Sequence, residues 1–300
     1  MGRALVFELQ KQGYKKIAIL SRNVPTEKIS GVEYFSGVDL SQPQTFAKLI
    51  HANSIVINLA GMISFLRRDR SKLFATNAEG ALNLLKICEQ KKVQRLIQIS
   101  SSAALGFGEA EISESTKFAW RKYRFLNYSH SKFFANEMID NSKLPTNILF
   151  PPLVLGPGDP TSAERIFQFV KNKKRVSVPS GSNACIDVRD LATAIRLTVE
   201  RAKPKENFLV IGENFSVKKL FVTAAKVLGQ KTEFRTLSPK FCSLLTGCSR
   251  AAELCGLPIP TENIFLGFQK RVFDSRKIQT ELGFRPRFSL EKSLRDSIKI

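Results

Sequence analysis

Apolar positions in the first half of the chain alternate between two spacings. Residues 16–20 (KIAIL), 32–35, 54–59 (SIVINL), 95–100 (RLIQIS) and 146–150 (TNILF) are short, nearly continuous apolar runs, the pattern of strands buried on both faces. Between them lie stretches with a period near that of a helix. Residues 3–12 place Ala4, Leu5 and Leu9 on one side and stop at Gly13; residues 46–50 read as helical. Residues 71–91 put Leu82, Leu85 and Cys88 on an inward stripe, and residues 127–141 form the next helix. Strand and helix alternating in this way predict βαβ units, a parallel sheet and a doubly wound α/β fold. From about residue 160 the helical pieces shorten and prolines become frequent. A strand at 207–211 (NFLVI), a helix through Leu228, a turn at 283–286 (GFRP) and a final helix complete the chain. The expected division is a cofactor-binding lobe over residues 1–160, with 185–211 returning to it, and a smaller α/β substrate lobe over most of 161–300.

Composition changes this picture little. A hydrophobic content of 43% and a charged content of 24% are those of an ordinary globular chain. No run reaches the length of roughly 18 apolar residues that a spanning helix needs, and no secretory pattern opens the chain, so a cytoplasmic protein is expected. Five scattered cysteines, never in a C-x-x-C pair, and two histidines argue against a disulfide framework and against a metal centre. The net charge of +21 is the exceptional number. Its basic residues cluster at 67–70, 121–124 and 171–175 without a zinc-finger spacing or an aromatic RNA-binding signature. No specific nucleic-acid partner is expected; a basic solvated surface, an anionic substrate or peripheral contact with an anionic surface fits the charge.

A doubly wound sheet opens with a strand and a glycine-rich turn that seats a pyrophosphate on a helix N-terminus. This chain starts at the helix, with Gly2 in the place of the last glycine of such a turn. The expectation is that about 10–15 residues, a strand plus the turn, precede Met1 in the full product. The alternative is a degenerate homologue that binds no cofactor.

The sharpest chemical signal is Tyr128-Ser129-His130-Ser131-Lys132, because a Tyr and a Lys four apart share one helix face. An ammonium there is expected to lower the phenol's pKa and to make Tyr128 an acid/base near neutrality. Upstream, a strand ends in Ser100-Ser101-Ser102 and runs on through Ala103-Ala104-Leu105-Gly106. Residues 93–106 resemble the V-x-R-x-V-x-x-S-S-A-A-V-Y-G segment of the extended short-chain dehydrogenase/reductases, the group of sugar-nucleotide epimerases, 3β-hydroxysteroid dehydrogenases and dihydroflavonol reductases. Further matches follow in family order: Asp39-Leu40, Asn58-Leu59-Ala60-Gly61, Asn77-Ala78-Glu79-Gly80, residues 151–159 (PPLVLGPGD), residues 187–192 (DVRDLA) and residues 281–286 (ELGFRP).

The resemblance implies a Rossmann fold, a nicotinamide cofactor and a small-molecule substrate. It implies that Ser101, or Ser102 after a shift by one, holds the substrate oxygen, that Tyr128 transfers its proton, and that Lys132 tunes the tyrosine and holds the nicotinamide ribose. By the same resemblance Asp39 and Leu40 lie at the adenine, Ala60 and Gly61 beside the cofactor, Asn77 near it, and Pro151, Leu153 and Val154 along the nicotinamide. A homodimer through two helices is usual in the family. Three functions remain open: an oxidoreductase acting on a secondary alcohol or ketone, a nucleotide-sugar epimerase, and a non-catalytic cofactor-binding or membrane-surface protein. Ala103 and Ala104 stand where a dehydratase needs an acid. The 23 phenylalanines point to an apolar substrate, the basic clusters to an anionic one.

Cofactor preference turns on Arg22, at the end of the second strand. An acidic residue there binds the 2′-hydroxyl of NAD, whereas an arginine suits the 2′-phosphate of NADP or stacks on adenine with either. Replacing Arg22 with Asp is expected to turn a preference for NADP into one for NAD. An unchanged ratio of the two dissociation constants in fluorescence titrations would remove Arg22 from that role.

Overall fold

A computed structural model of the chain describes residues 1–108, 110–158 and 161–298; Asp159, the last residue of the 151–159 motif, lies outside the described residues. The chain runs α1 (Gly2–Lys11), β1 (Ile17–Leu20), β2 (Val32–Phe35), β3 (Ile55–Asn58), α2 (Arg70–Phe74), α3 (Gly80–Gln90), β4 (Arg95–Ile99), α4 (Asn127–Asp140), β5 (Thr146–Phe150) and β6 (Leu153–Leu155). It continues through α5 (Ser162–Val170), β7 (Arg175–Val178), β8 (Ser182–Asp187), α6 (Val188–Arg201), β9 (Phe208–Leu209), β10 (Glu213–Ser216), α7 (Val217–Val227) and β11 (Glu233–Thr236). Four helices close it: α8 (Phe241–Leu254), α9 (Thr261–Phe268), α10 (Arg276–Glu281) and α11 (Leu290–Ile298).

The central sheet is parallel in the order β3-β4-β5-β9. Alternation along its strands feeds two cores. Leu96, Ile148 and Phe150 face Leu84, Leu85 and Cys88 of α3 and Ala135 and Ile139 of α4. Ile97, Ile99 and Leu149 face Leu5 and Leu9 of α1 and Leu191 and Ile195 of α6. A strand covered on both sides needs apolar residues at odd and even positions alike, which is why these runs lack a polar face. β1 and β2 form a separate parallel ladder. Side chains, rather than ladder hydrogen bonds, join it to the sheet: Ile17 of β1 and Ile55 and Ile57 of β3 pack on one core with Leu5 and Leu9.

The later strands form small sheets of their own, β10-β8-β6 and β11-β7. Their core takes Leu155, Phe167, Cys185, Phe215, Leu220, Leu290 and Leu294. Buried carboxylates fasten the tail to the sheet. Asp190 accepts from the backbone N–H groups of Arg287 and Phe288, and Asp187 accepts from the hydroxyl of Ser293.

Three expectations are corrected. Residues 46–50 are turns after a short 3-10 segment, Pro43–Thr45, because Pro43 starts a tight turn whose carbonyl accepts from both Phe46 and Ala47. The strand expected over 207–211 pairs only at Phe208–Leu209, although the run is buried through Ile211. The helix expected over 71–91 is broken at its centre by a π turn, Ala75–Glu79. Such turns insert one residue and redirect the side chains around it.

Phe284, in the tail motif, is 1% exposed and packs among Leu197, Ile278 and Leu282. Phe284→Ala is expected to cost about 3–5 kcal/mol through the cavity it leaves, read as a lower urea midpoint at constant slope.

Candidate functional site

The site is assembled where β4 ends, where the π turn interrupts the α2–α3 helix, and where α4 begins. Ser101, just after β4, is extended, and its hydroxyl accepts from Ala103 N–H at 3.2 Å. Its hydroxyl acts on the Tyr128 phenol, opposing the rise that burial imposes on it. Ser102 is buried, and its N–H donates to the carbonyl of Pro151 at 2.9 Å. Of the two serines considered, Ser101 is the one whose hydroxyl bears on the Tyr128 phenol.

One turn along α4, Lys132 is 4% exposed, and its Nζ points at Gly61. A Cβ at Gly61 would stand 2.7 Å from Nζ and 3.3 Å from Asn77 Oδ1, so a side chain there would displace the lysine tip. Asn77 sits in the π turn and ties the site together. Its Oδ1 accepts from Met62 N–H, and its Nδ2 donates to the Met62 carbonyl and the Ser131 hydroxyl. Ser131 in turn donates to the carbonyl of Tyr128.

The expected effect of Lys132 on Tyr128 is corrected. Burial pushes the phenol up to about 12; Ser101 opposes the rise and the nearby Glu262 carboxylate adds to it. Burial pulls Lys132 down to about 8. Both groups are out of water, so desolvation disfavours the charged form of each. Tyr128 therefore rests protonated, as a proton donor. No hydrogen-bond acceptor or carboxylate among the described residues meets Lys132 Nζ, and a buried ammonium without a partner fits a site shaped for a bound polar group.

The remaining expected residues fall into two further groups. Arg22 is exposed, after β1, and its charge acts on Asp39, whose carboxylate is held low chiefly by the N–H and hydroxyl of Ser41. Leu40 packs on Gly80, where a Cβ would come within 3.0 Å, and its carbonyl accepts from Asn83. Ala60 N–H donates to Asn58, which donates across to Gln98. Pro151 is buried behind Ser102, Leu153 and Val154 lie on β6, and Val154 packs on the core shared with α6. Gly2 opens α1; a Cβ there would meet Leu59 at an ordinary 3.8 Å.

His130, between Tyr128 and Lys132 in sequence, points into an aromatic sandwich with Trp120, Phe133 and Phe134. Burial and the neighbouring Arg70 and Arg124 hold its pKa low.

One residue escaped the sequence reading. Helix α4 has no side-chain cap at its N-terminus, where Leu126 stands. The cap comes from Glu262 on α9: its carboxylate accepts from Tyr128 N–H at 2.9 Å, Ser129 N–H at 3.0 Å and the Ser129 hydroxyl at 2.7 Å. An anion at this end also suits the helix dipole. Glu262 is 2% exposed, and burial raises its pKa to about 6 against those hydrogen bonds and the charge of Arg271. The missing local cap was the only signal in the sequence, and it named no partner. Glu262 is a positioning residue: it fixes the turn that carries Tyr128.

A cleft of about 380 Å³ lies nearby in the chain, between segments that follow Ser101 and precede Tyr128. Phe107, Phe118 and Tyr123 wall it, and Lys122, Gln269 and Lys270 supply its polar rim.

Protonation of Glu262 puts a donor where an acceptor is needed. Turnover is expected to fall as pH drops through about 6. Glu262→Gln, which leaves one of the two N–H groups facing an amide N–H, is expected to lower kcat by about tenfold and to abolish that limb of the pH profile, while KM changes little. A Gln variant that keeps the wild-type profile would remove Glu262 from this role.

Comparison with known proteins gives the family and the fold. The chain is 24% identical, over 99% of its length and 90% of the relative's, to a putative dihydroflavonol 4-reductase of Synechocystis sp.. It is 30% identical, over 55% of its length and 45% of the relative's, to a 2-alkyl-3-oxoalkanoate reductase of Shewanella oneidensis. The crystal structure of gox2253 superimposes with a TM-score of 0.81 at 24% identity, over 99% of this chain and 93% of that one. Residues 1–212 match the model of the NAD dependent epimerase/dehydratase family, and with a parallel Rossmann sheet beneath that match the chain belongs to this family of extended short-chain dehydrogenase/reductases.

Proposed function

We propose that the protein is a nicotinamide-dependent ketoreductase, interconverting a ketone and a secondary alcohol on a substrate with an apolar body. The observation that carries this reading is the buried set of Ser101, Tyr128 and Lys132, with a protonated phenol beside a serine hydroxyl and an unpartnered ammonium one turn away. The residues fit a dinucleotide: Gly61, Asn77 and Lys132 form a tight polar corner for a ribose, and Arg22 with Asp39 stands at the adenine end. A bound nicotinamide supplies the hydride that goes to the carbonyl carbon.

The chain's own groups handle the oxygen and the proton. Ser101 donates to the substrate carbonyl, and Tyr128 gives its proton to that oxygen as negative charge builds there. A phenol near 12 is a weak acid in water, but in a water-excluded site the developing alkoxide is a stronger base still, so the proton moves toward it. Lys132 holds the ribose diol and, when protonated, stabilises the phenolate left behind. Arg22 favours the 2′-phosphate of NADP. Phe107, Phe118 and Tyr123 favour an apolar substrate over a nucleotide-sugar, and Lys122 at the rim suits an acidic group on it.

The test is NADPH oxidation with a panel of ketones, including dihydroflavonols and 2-alkyl-3-oxoalkanoates. Tyr128→Phe is expected to lower kcat by about 10²–10⁴-fold and to leave NADPH binding intact. If Tyr128→Phe reduces ketones as fast as the wild type, the proton comes from elsewhere and the reading fails.

A further inference from the structure

Helix α8 is amphipathic in the reverse sense. Its two buried residues are polar, Thr246 and Ser249. Its outward residues include large apolar ones: Phe241 is 47% exposed, Leu244 60%, Leu254 68%, and Leu257 just beyond it 54%. Phe241, Leu244, Cys248, Ala251 and Cys255 follow a three- and four-residue spacing, so they share one face, and all are exposed. A soluble surface rarely carries so continuous an apolar stripe without a use for it.

The charges around the stripe select what covers it. Lys240 precedes the helix and Arg250 lies on it, both exposed. Arg67 and Arg68, also exposed, line the cleft that ends at Gly256 and Leu257. The single acid of α8, Glu253, is half-buried and accepts from Arg67 N–H, so no carboxylate is fully exposed on the helix. A second copy would set one chain of charge +21 against another. The stripe is also a ridge rather than a groove: α8 packs chiefly on α9, and its apolar side chains stand outward. A hydrocarbon layer accepts protruding side chains with no matching pockets, and anionic headgroups meet the flanking cations.

We propose that α8 is a docking helix for an anionic lipid surface, lying in the headgroup plane with Phe241, Leu244, Leu254 and Leu257 inserted. No helix of the described residues is long and apolar enough to cross a membrane, so the contact is peripheral. The helix leads directly into α9, which carries Glu262, so the docked face and the cap of the Tyr128 helix belong to one helical hairpin.

The experiment is co-sedimentation of the full chain with vesicles of phosphatidylcholine alone and with about 30% phosphatidylserine. Binding is expected to the anionic vesicles, weakened by salt, and far less to the neutral ones. Phe241→Ser with Leu244→Ser is expected to weaken it on the order of a hundredfold while circular dichroism and NADPH binding stay unchanged. No sedimentation with anionic vesicles overturns the proposal, as does binding that the serine pair leaves intact, which would be charge alone. A dimer by light scattering that the serine pair returns to monomer assigns the stripe to a second copy and also overturns it.

Discussion

The turn that begins α4 depends on a carboxylate 134 residues away. Without Glu262, the N–H groups of Tyr128 and Ser129 would be buried donors with nothing to accept them, a cost of about 1–3 kcal/mol each. Holding Glu262 there requires α9 to be held in turn, and the chain does this through close backbone contact. Gly181 N–H donates to the Gly267 carbonyl at the end of α9, and a Cβ at Gly181 would collide with that carbonyl and with that of Gln269. Arg271, just beyond, exchanges hydrogen bonds with the Ser182 hydroxyl and sets its charge near Glu262. The later part of the chain thus acts on the site by fixing the first turn of its central helix.

Burial is the common cause of the site's electrostatics. It raises Tyr128, lowers Lys132, raises Glu262 and lowers Arg271 to about 10. Glu262 and Arg271 compensate each other in part, whereas Lys132 is answered only by amide and glycine surroundings. An uncompensated buried ammonium lowers stability. Its place opposite Gly61 and Asn77 is where the proposed function puts a ribose. The π turn has the same logic, since the extra residue brings Asn77 across to Met62 and Ser131.

Apolar surface is divided between two uses. The phenylalanines around Trp120 and Leu126 interlock edge-to-face and stacked, and they wall the cleft beside the Tyr128 helix. Phe241, Leu244 and Leu254 of α8 are turned outward with basic neighbours. The two clues that conflict in composition, many aromatics and a large positive charge, separate in space: an aromatic cleft with a lysine rim, and an apolar ridge with arginines beside it.

The parallel strands were legible because burial on both faces imposes a local pattern, and residues 95–100 and 146–150 carry it in full. Helices α1 and α4 were legible from a period near that of a helix; of the candidate site, the Tyr128–Lys132 spacing was legible as one helical turn, and Ser101 was named only by family resemblance. The segment 46–50 misled because its apolar residues are buried from turns, and 207–211 because burial continues where pairing stops. Contacts between distant segments left no mark in the pattern. The Glu262 cap, the crowding of Gly61 by Lys132, the π turn at Asn77 and the outward face of α8 each depend on what another part of the chain brings alongside. The pKa of Tyr128 is of this kind too: spacing places a lysine on its helix face, but enclosure decides that desolvation outweighs it. Local periodicity is written residue by residue, so the sequence by itself determined the strands, the helices and the residue types of the site; charge, capping and exposure depend on neighbours in space, so only the tertiary structure decided those.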